Sequence, residues 1–293
     1  MILKKLFVVT LGCVLVLFAS ASAEVSRPRV VAAENFYGDV ARQIGGSWFE
    51  VSSIMSSPDQ DPHLFETTPA VARQLSEAQI VILNGADYDP WVNKLLLASP
   101  RAGRLAINVA DLVGKKSGDN PHLWYQPETM QALALALTRT MSEIDPARAA
   151  DYVVRQHAFK SSLAPLNQKI AQIRTKYGGV AITATEPVFG YMAVALGLSM
   201  RNERFQLAVM NDTEPSARDI AAFENDLKTQ RVKALIFNKQ AITNLTKRML
   251  DTAERARIPV VGVTETEPAG VNYQDWMLMQ LNELQNALAD TSK

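Results

Sequence analysis

Two of the three histidines in the chain lie in nearly the same local sequence. His63 belongs to residues 61–66, which read DPHLFE, and His122 belongs to residues 120–124, which read NPHLW. In each segment the histidine follows a proline, whose ring restricts the backbone, and precedes a leucine and an aromatic residue. A neutral imidazole held in one direction is a common ligand of transition metals. The repetition therefore favours a metal site over two unrelated surface histidines.

The other residues that could do chemistry argue against several kinds of site. Cys13 is the only cysteine and lies in an apolar N-terminal run, so no cysteine nucleophile is available. The sequence contains no glycine-rich phosphate loop and offers no Ser-His-Asp arrangement. His157 lies in a polar segment with helical spacing, where we expect it to face solvent. Nucleophilic catalysis and nucleotide binding are therefore not indicated.

The elements that must position the histidines alternate between short apolar segments and segments of helical spacing. We predict four strands before a long polar helical segment, at 29–33, 49–54, 79–84 and 105–109. We predict four more after it, at 180–183, 205–210, 232–237 and 259–263. Strands that alternate with helices form parallel sheets. The predicted fold is therefore α/β, with two similar lobes, each a mainly parallel four-stranded sheet flanked by helices, joined by one long connecting helix.

This pattern divides the chain into four regions. Residues 1–23 contain two lysines, an apolar run and a small-residue end, which is typical of a cleaved secretory signal peptide. We predict an N-terminal metal-binding lobe over 24–145, the connecting helix over 146–176 and a C-terminal metal-binding lobe over 177–293. The apolar run is short for a membrane span, and the residues before Cys13 depart from a typical lipoprotein signal. We therefore expect an exported protein, cleaved after Ala23, without a direct membrane anchor.

The charge balance is close to neutral. Without Lys4 and Lys5 of the leader, 28 basic residues face 30 acidic ones, a net charge of −2. No basic run indicates binding to nucleic acid or to a membrane surface. Since no cysteine remains, stability must come from packing, or from packing together with a bound ligand. We expect a monomer that binds no nucleic acid.

The predicted strand order puts several histidine and glutamate residues just after the carboxyl ends of strands. In open parallel sheets, ligands bind beyond the carboxyl ends of the strands. His63 follows the second predicted strand and His122 the fourth. Glu186 follows the first strand of the second lobe, and Glu265 and Glu267 follow the last. If the lobes face each other, two imidazoles and two carboxylates converge in the cleft, which suits a divalent first-row metal.

Each carboxylate also has an ordinary explanation. Glu186 precedes the helix that Pro187 opens, where an acidic residue is favoured by the helix dipole. Glu265 and Glu267 lie in an acidic turn over 264–268, and the sequence does not choose between them as a ligand.

Two further acidic residues flank the first histidine. Metal-bound histidines usually donate their other ring nitrogen to a carboxylate or a carbonyl, so Asp61 and Glu66 could orient the imidazole of His63. Turn formation explains Asp61 equally well.

Several segments together resemble a known protein family. The chain is similar to the metal-binding solute-binding proteins of zinc/manganese-type ABC transporters, in which a rigid helix joins two α/β lobes. The resemblance covers essentially all of the chain after the leader. It is carried by residues 32–37 (AAENFY), 61–66, 120–124 and 185–191 (TEPVFGY), with a weaker match at 214–216 (EPS).

The resemblance implies a set of metal ligands. It makes His63 and His122 the ligands of the first lobe and puts Glu186 where the third ligand lies. Zinc-type members commonly have histidine at this third position, whereas manganese and iron members resemble this chain in using glutamate. The family's fourth ligand is usually an aspartate after the last strand, and here Glu265, or Glu267 as the alternative, occupies that turn. The histidine-rich acidic loop of many zinc importers is missing.

The resemblance therefore implies the periplasmic solute-binding component of an ABC importer. It would capture manganese or iron, with zinc as the alternative, as the transported ligand and deliver it to a membrane permease. It would not be an enzyme. A competing hypothesis is a secreted metalloenzyme that uses the two histidines and one carboxylate with an open coordination position. A third is a binding protein for an organic solute, which would need a wider cleft with apolar walls.

Overall fold

The computed structural model describes residues 27–58, 62 and 65–290. The first half contains β1 Arg29–Glu34, α1 Asn35–Gly45, β2 Glu50–Met55, α2 Pro69–Glu77, β3 Ile80–Leu83, α3 Pro90–Ala98, β4 Leu105–Asn108, α4 Val109–Leu112 and α5 Thr129–Ile144. Two helices, α6 Ala149–Ser162 and α7 Ala164–Tyr177, lead to the second half. The second half contains β5 Ala181–Ala184, α8 Gly190–Ala195, β6 Ser199–Arg201, α9 Glu203–Met210, α10 Ala217–Lys228, β7 Leu235–Asn238, α11 Asn244–Arg255, β8 Val260–Val263 and α12 Tyr273–Asp290.

The strands form two four-stranded sheets with the same plan. Their orders are β2-β1-β3-β4 and β6-β5-β7-β8, and every pairing is parallel. The central strands are apolar and covered on both faces; all four residues of β3, for example, are buried. The predicted α/β architecture of two similar lobes is therefore confirmed. In each sheet the order of the strands reverses between the two central strands, β1 and β3 in one sheet and β5 and β7 in the other. Ligands bind beyond the strand ends at this point in this type of fold.

The predicted connecting helix is present as α6 and α7, with a single non-helical residue between them. That residue is Leu163, and Pro165 follows in the first turn of α7. Proline has no N–H to donate to the carbonyl four residues earlier, so the helical hydrogen-bond pattern is interrupted at this point. Leu163 and Leu166 are buried in the core, and this burial fixes the connector against both lobes.

The prediction of a strand at 205–210 is wrong, because these residues form α9. The strand of this region is β6, only three residues long, which pairs with β5. Phe205 is fully buried and packs on Phe223 with ring centroids 4.6 Å apart, whereas Leu207 is exposed. The run FQLAVM shows no strand-like alternation of apolar and polar residues, so a helix can bury one side of it. A three-residue edge strand leaves little signal in the sequence.

Aromatic side chains from both halves of the chain form one continuous core between the lobes. The ring of Phe36 lies 4.6 Å from that of Trp124 and 5.9 Å from that of Trp276, measured between centroids. The ring of Tyr125 lies 5.5 Å from that of Phe189 in an edge-to-face contact. Burying rings of this size contributes strongly to stability, and their shapes restrict how the lobes can shift. These aromatic contacts therefore hold the two lobes together in one core.

Candidate metal centre

His122 is completely buried, and Asn120 determines which way its ring points. The Asn120 Oδ1 atom accepts the backbone N–H of His122 at 3.1 Å and lies 2.7 Å from the ring Nδ1. Because Oδ1 is an acceptor, Nδ1 must carry the ring proton and donate it. The other ring nitrogen, Nε2, then keeps its lone pair. This is the tautomer and orientation that a histidine needs to bind a metal through Nε2.

Glu265 lies directly opposite this nitrogen. Its Oε2 atom is 3.3 Å from Nε2 of His122, and both side chains are buried. Tyr88 donates its hydroxyl to the same Oε2 at 3.0 Å. Burial, followed by the charge of Glu265, raises the pKa of Tyr88 well above its ordinary value, so Tyr88 remains a hydrogen-bond donor at neutral pH. Gln240 accepts the backbone N–H of Glu265 and thereby fixes this turn after β8.

Glu186 is joined to Glu265 by one asparagine. The side-chain amide of Asn238, at the end of β7, donates to Oε2 of Glu186 and, at 2.7 Å, to Oε1 of Glu265. Both carboxylates are buried. A continuous chain of contacts therefore connects His122, Glu265, Asn238 and Glu186. We call His122, Glu186 and Glu265 the His122 cluster.

Part of the predicted site lies outside the described residues. His63 and Asp61 belong to the undescribed positions, and Glu66 is exposed. Within 27–58, 62 and 65–290, no three histidine, cysteine, aspartate or glutamate side chains are arranged so that they could hold a metal ion. Of the predicted ligands, His122 and Glu265 are in direct contact, and Glu186 is connected to Glu265 through Asn238.

Glu267, the alternative fourth ligand, faces elsewhere. Asn35 bonds both its backbone N–H, at 3.0 Å, and its carbonyl, at 2.7 Å. Glu267 lines a separate cavity of about 720 Å³ together with Asp39 and Arg42. Burial, followed by the charge of Asp39, raises the pKa of Glu267 to about 9, so its carboxyl is neutral at physiological pH. The carboxylate of Glu265 faces Nε2 of His122 whereas Glu267 lines the separate cavity, so Glu265 is the better placed of the two.

The sequence interpretation missed the neutral residues around the cluster. It quoted Asn120 as part of a motif without giving it a role, and it gave none to Tyr88 or Asn238. One signal was available for Asn238. It follows the apolar run LIF of β7 just as Asn84 follows the apolar run IVIL of β3. These two strands occupy equivalent places in the two sheets.

Comparisons with known proteins identify the family of the chain. Residues 30–287 match the family model described as ZnuA, the periplasmic component A of a zinc-uptake complex. The metal ABC transporter substrate-binding lipoprotein SloC of Streptococcus mutans is 24% identical over 314 residues, covering 98% of this chain and 100% of that protein. The manganese ABC transporter substrate-binding lipoprotein PsaA of Streptococcus mitis is 23% identical, covering 98% and 99%. These names describe binding components of transporters, in agreement with the prediction that the chain is not an enzyme.

Solved structures show the same fold. The periplasmic zinc binding protein TroA from Treponema pallidum superposes with a TM-score of 0.76 at 17% identity, covering 90% of this chain and 99% of that one. A manganese-bound periplasmic metal binding protein from candidatus liberibacter asiaticus gives a TM-score of 0.72 at 17% identity, covering 89% and 100%. The family match extends over both lobes and the connecting helices. The chain therefore belongs to the ZnuA family of periplasmic metal-uptake components.

Proposed function

We propose that this protein captures one divalent transition metal ion between its lobes and delivers it to the membrane permease of an ABC importer. His63, His122, Glu186 and Glu265 are the proposed ligands. Manganese or iron is the favoured cargo, and zinc is the alternative. The ion is the transported substrate and not a resident cofactor.

The observation that carries this proposal is the contact between His122 and Glu265. Two ligand atoms that lie about 2.0–2.2 Å from a shared tetrahedral ion are about 3.4 Å apart. The Nε2 and Oε2 atoms of these residues are 3.3 Å apart. Both are buried, and Nε2 makes no hydrogen bond to any side chain in the described part of the chain. At this separation, the buried imidazole nitrogen and the carboxylate oxygen can both bind the same cation.

The preference for manganese or iron rests on the carboxylates. Carboxylate oxygens move the preference of a site towards manganese and iron, whereas imidazole also suits zinc. The relatives include proteins named for either metal, such as the manganese transporter component PsaA and the zinc-binding TroA. We base the preference on Glu186 and Glu265 of this chain, which supply oxygen at two of the four proposed positions.

The location and the partner follow from the family and from the leader. The leader at 1–23 lies outside the described residues, and we propose that it is a signal peptide cleaved after Ala23. None of the helices in the described part of the chain is long and apolar enough to cross a bilayer. Several relatives are named lipoproteins, so the absence of a lipid anchor on this chain stays a prediction. A periplasmic protein of this family would deliver its metal to a permease.

Metal titration of the metal-free protein tests the proposal. We expect wild type to bind manganese and zinc at one site, and to gain thermal stability with each, because a ligand that binds only the folded state stabilises it. The variant carrying His63→Ala and His122→Ala should lose both effects while keeping its fold by circular dichroism. A double variant that bound either metal with unchanged affinity would refute the ligand assignment.

A further inference from the structure

The cavity lined by Glu267 lies between the two lobes and is separate from the His122 cluster. Its volume of about 720 Å³ falls within the range of about 300–1,000 Å³ that is usual for small-molecule sites. One wall comes from α1 and β2, and the other from residues 267–272, which lead into α12. No member of the His122 cluster lines it. We call it the side cavity, and a ligand in it would contact both lobes.

Helix α1 presents one polar face to the side cavity. Asn35, Asp39 and Arg42 follow one another at intervals of four and three residues, so their side chains lie on the same side of the helix. All three line the cavity. The sequence of α1 therefore places an amide, a carboxylate and a guanidinium along a single wall.

The same face of α1 fixes both ends of the opposite wall. The side chain of Asn35 accepts the backbone N–H of Glu267 at 3.0 Å and donates to its carbonyl at 2.7 Å. One turn later, Oδ2 of Asp39 accepts the backbone N–H of Tyr273 at 3.1 Å. The segment between these contacts is thus tied to the first lobe on either side of the cavity. A cavity that is already formed binds a ligand with a smaller loss of entropy.

Polar groups in the side cavity lack partners within the described part of the chain. Arg42 is exposed and forms neither a hydrogen bond nor an ion pair there. The residue Glu267 is 4% exposed, and its Oε2 atom has no hydrogen-bond partner among the described residues. The same is true of the buried hydroxyl of Ser53. Buried polar atoms are nearly always bonded in native proteins, so these groups beside a formed cavity indicate a polar ligand.

The position of Gly38 shows where the free guanidinium lies. Nη1 of Arg42 and Oγ of Ser53 are 3.5 Å and 2.1 Å from the place that a Cβ atom on Gly38 would occupy. The guanidinium therefore lies close to the hydroxyl, between α1 and β2. Any side chain at position 38 would collide with this hydroxyl, so glycine is needed here.

The side cavity offers opposite charges at neighbouring places. The planar guanidinium of Arg42 suits a carboxylate, which it can bind through two hydrogen bonds. One turn away, Oδ1 of Asp39 makes no hydrogen bond in the described part of the chain, and the carboxyl of Glu267 also faces the cavity. These oxygens suit an ammonium group. The apolar lining includes Val51, Pro268 and Val271.

We propose that the side cavity binds a free α-amino acid with an aliphatic side chain. Its carboxylate binds Arg42, its ammonium group binds Asp39 and Glu267, and its side chain contacts the apolar lining. Glu267 needs only to supply an acceptor oxygen, which a carboxyl group offers whether or not it is ionised. This site goes beyond the proposed metal transport and does not depend on it.

Calorimetric titration of metal-free protein with L-leucine, L-isoleucine and L-valine tests the proposal. A chelator would be present, so that no metal ion can hold the amino acid. The tightest binder would be compared with two analogues, which for leucine are isocaproate, without the ammonium group, and isoamylamine, without the carboxylate. We expect one amino acid per chain. Each analogue should bind at least about tenfold more weakly, because it leaves one charged group of the cavity unpaired.

Variants of the protein locate the site. Arg42→Gln removes the guanidinium of an exposed side chain and should weaken amino-acid binding about 10–100-fold. Arg139→Gln is the matched control, because Arg139 is also exposed and does not line the cavity, and it should bind with wild-type affinity. Asp39→Asn keeps an acceptor for Tyr273 and loses the charge, so it should weaken amino-acid binding more than isocaproate binding. If it does not fold, as judged by circular dichroism, Arg42→Gln decides the question.

Four outcomes would overturn the inference. They are the absence of saturable binding of any of the three amino acids to wild type, an analogue that binds as tightly as its amino acid, wild-type affinity in Arg42→Gln, and loss of binding in folded His122→Ala. The last would place the amino acid at the metal centre.

Failure of this inference differs from failure of the proposed function. A protein that binds manganese or zinc and none of the amino acids contradicts only the inference. A protein that binds an amino acid in the side cavity and neither metal contradicts only the proposed function.

Discussion

Replacing Glu265 with glutamine is the substitution that should most clearly separate a metal ligand from a neighbouring acid. Glu265→Gln keeps the size of the side chain and removes its charge. The Oε2 atom of Glu265 is 3.3 Å from Nε2 of His122, so an ion bound by this histidine would lie in contact with the carboxylate. Glu267→Gln is the matched control, because the carboxyl of Glu267 lines a different cavity and, with a pKa of about 9, is already neutral at pH 7.

The expected size of the effect follows from the charges. Two unit charges about 4 Å apart interact by about 4 kcal/mol at an effective dielectric constant of about 20, and a divalent ion doubles that figure. The amide oxygen of glutamine still offers a neutral ligand, which we expect to offset about half. A net loss of about 4 kcal/mol corresponds to a dissociation constant about 10³-fold higher. Glu267→Gln should change the constant by less than about threefold.

Isothermal titration of both metal-free variants with manganese at pH 7 makes the comparison. The same buffer and ionic strength are needed for wild type, because electrostatic contributions depend on screening. Equal affinity of Glu265→Gln and wild type, or a large loss in Glu267→Gln alone, would refute the assignment of Glu265. Loss of the far-ultraviolet circular dichroism spectrum in either variant would mark a folding defect, which the thermal unfolding curves of the metal-free proteins would also reveal.

Three further substitutions test other parts of the structure. Asn120→Ala removes the acceptor that orients His122, so titration should show about 10–100-fold weaker metal binding, and unchanged affinity would contradict that role. Burial, followed by the charge of Asp89, raises the pKa of Glu34 far above its ordinary value, so the folded protein keeps a proton that the unfolded chain releases above about pH 4.3. Stability should therefore fall by about 1.4 kcal/mol per pH unit as the pH rises from that value, until Glu34 ionises in the folded state. Glu34→Gln should flatten the dependence of Tm on pH, and an unaltered slope would show that this carboxyl does not cause it. Phe205→Ala should cost about 3–5 kcal/mol in urea unfolding, because the ring is fully buried, and a cost below about 1 kcal/mol would contradict its place in the core.

Two signals in the sequence indicate the same part of the fold as the metal site. The repeated Pro-His-Leu pattern is local, and the rule that ligands bind at the ends of parallel strands is topological. Together they indicated His122 and Glu186, which lie in the same buried region, although nothing about Glu186 by itself is distinctive. Alternation of strands and helices likewise predicted both sheets, because each central strand is an apolar run bounded by polar loops.

The choice between Glu265 and Glu267 could not be predicted, because it depends on contacts distant in sequence. Asn35, more than two hundred residues earlier, bonds both backbone groups of Glu267 and fixes that residue beside the other cavity. Asn238 was missed for a similar reason, since an amide at a strand end looks like an ordinary polar residue. The strand predicted at 205–210 failed because burial of Phe205 against a neighbouring helix outweighs any local preference of this apolar run.

Metal content is the most direct test of the central claim that this protein carries a divalent transition metal bound by His122. Wild type and His122→Ala would be purified from the native compartment without chelators and examined by elemental mass spectrometry. We predict about one equivalent of manganese or iron per wild-type chain and almost none in the variant. Zinc alone in wild type would contradict the proposed metal preference. Wild type without metal, or equal metal in both proteins, would contradict the claim itself.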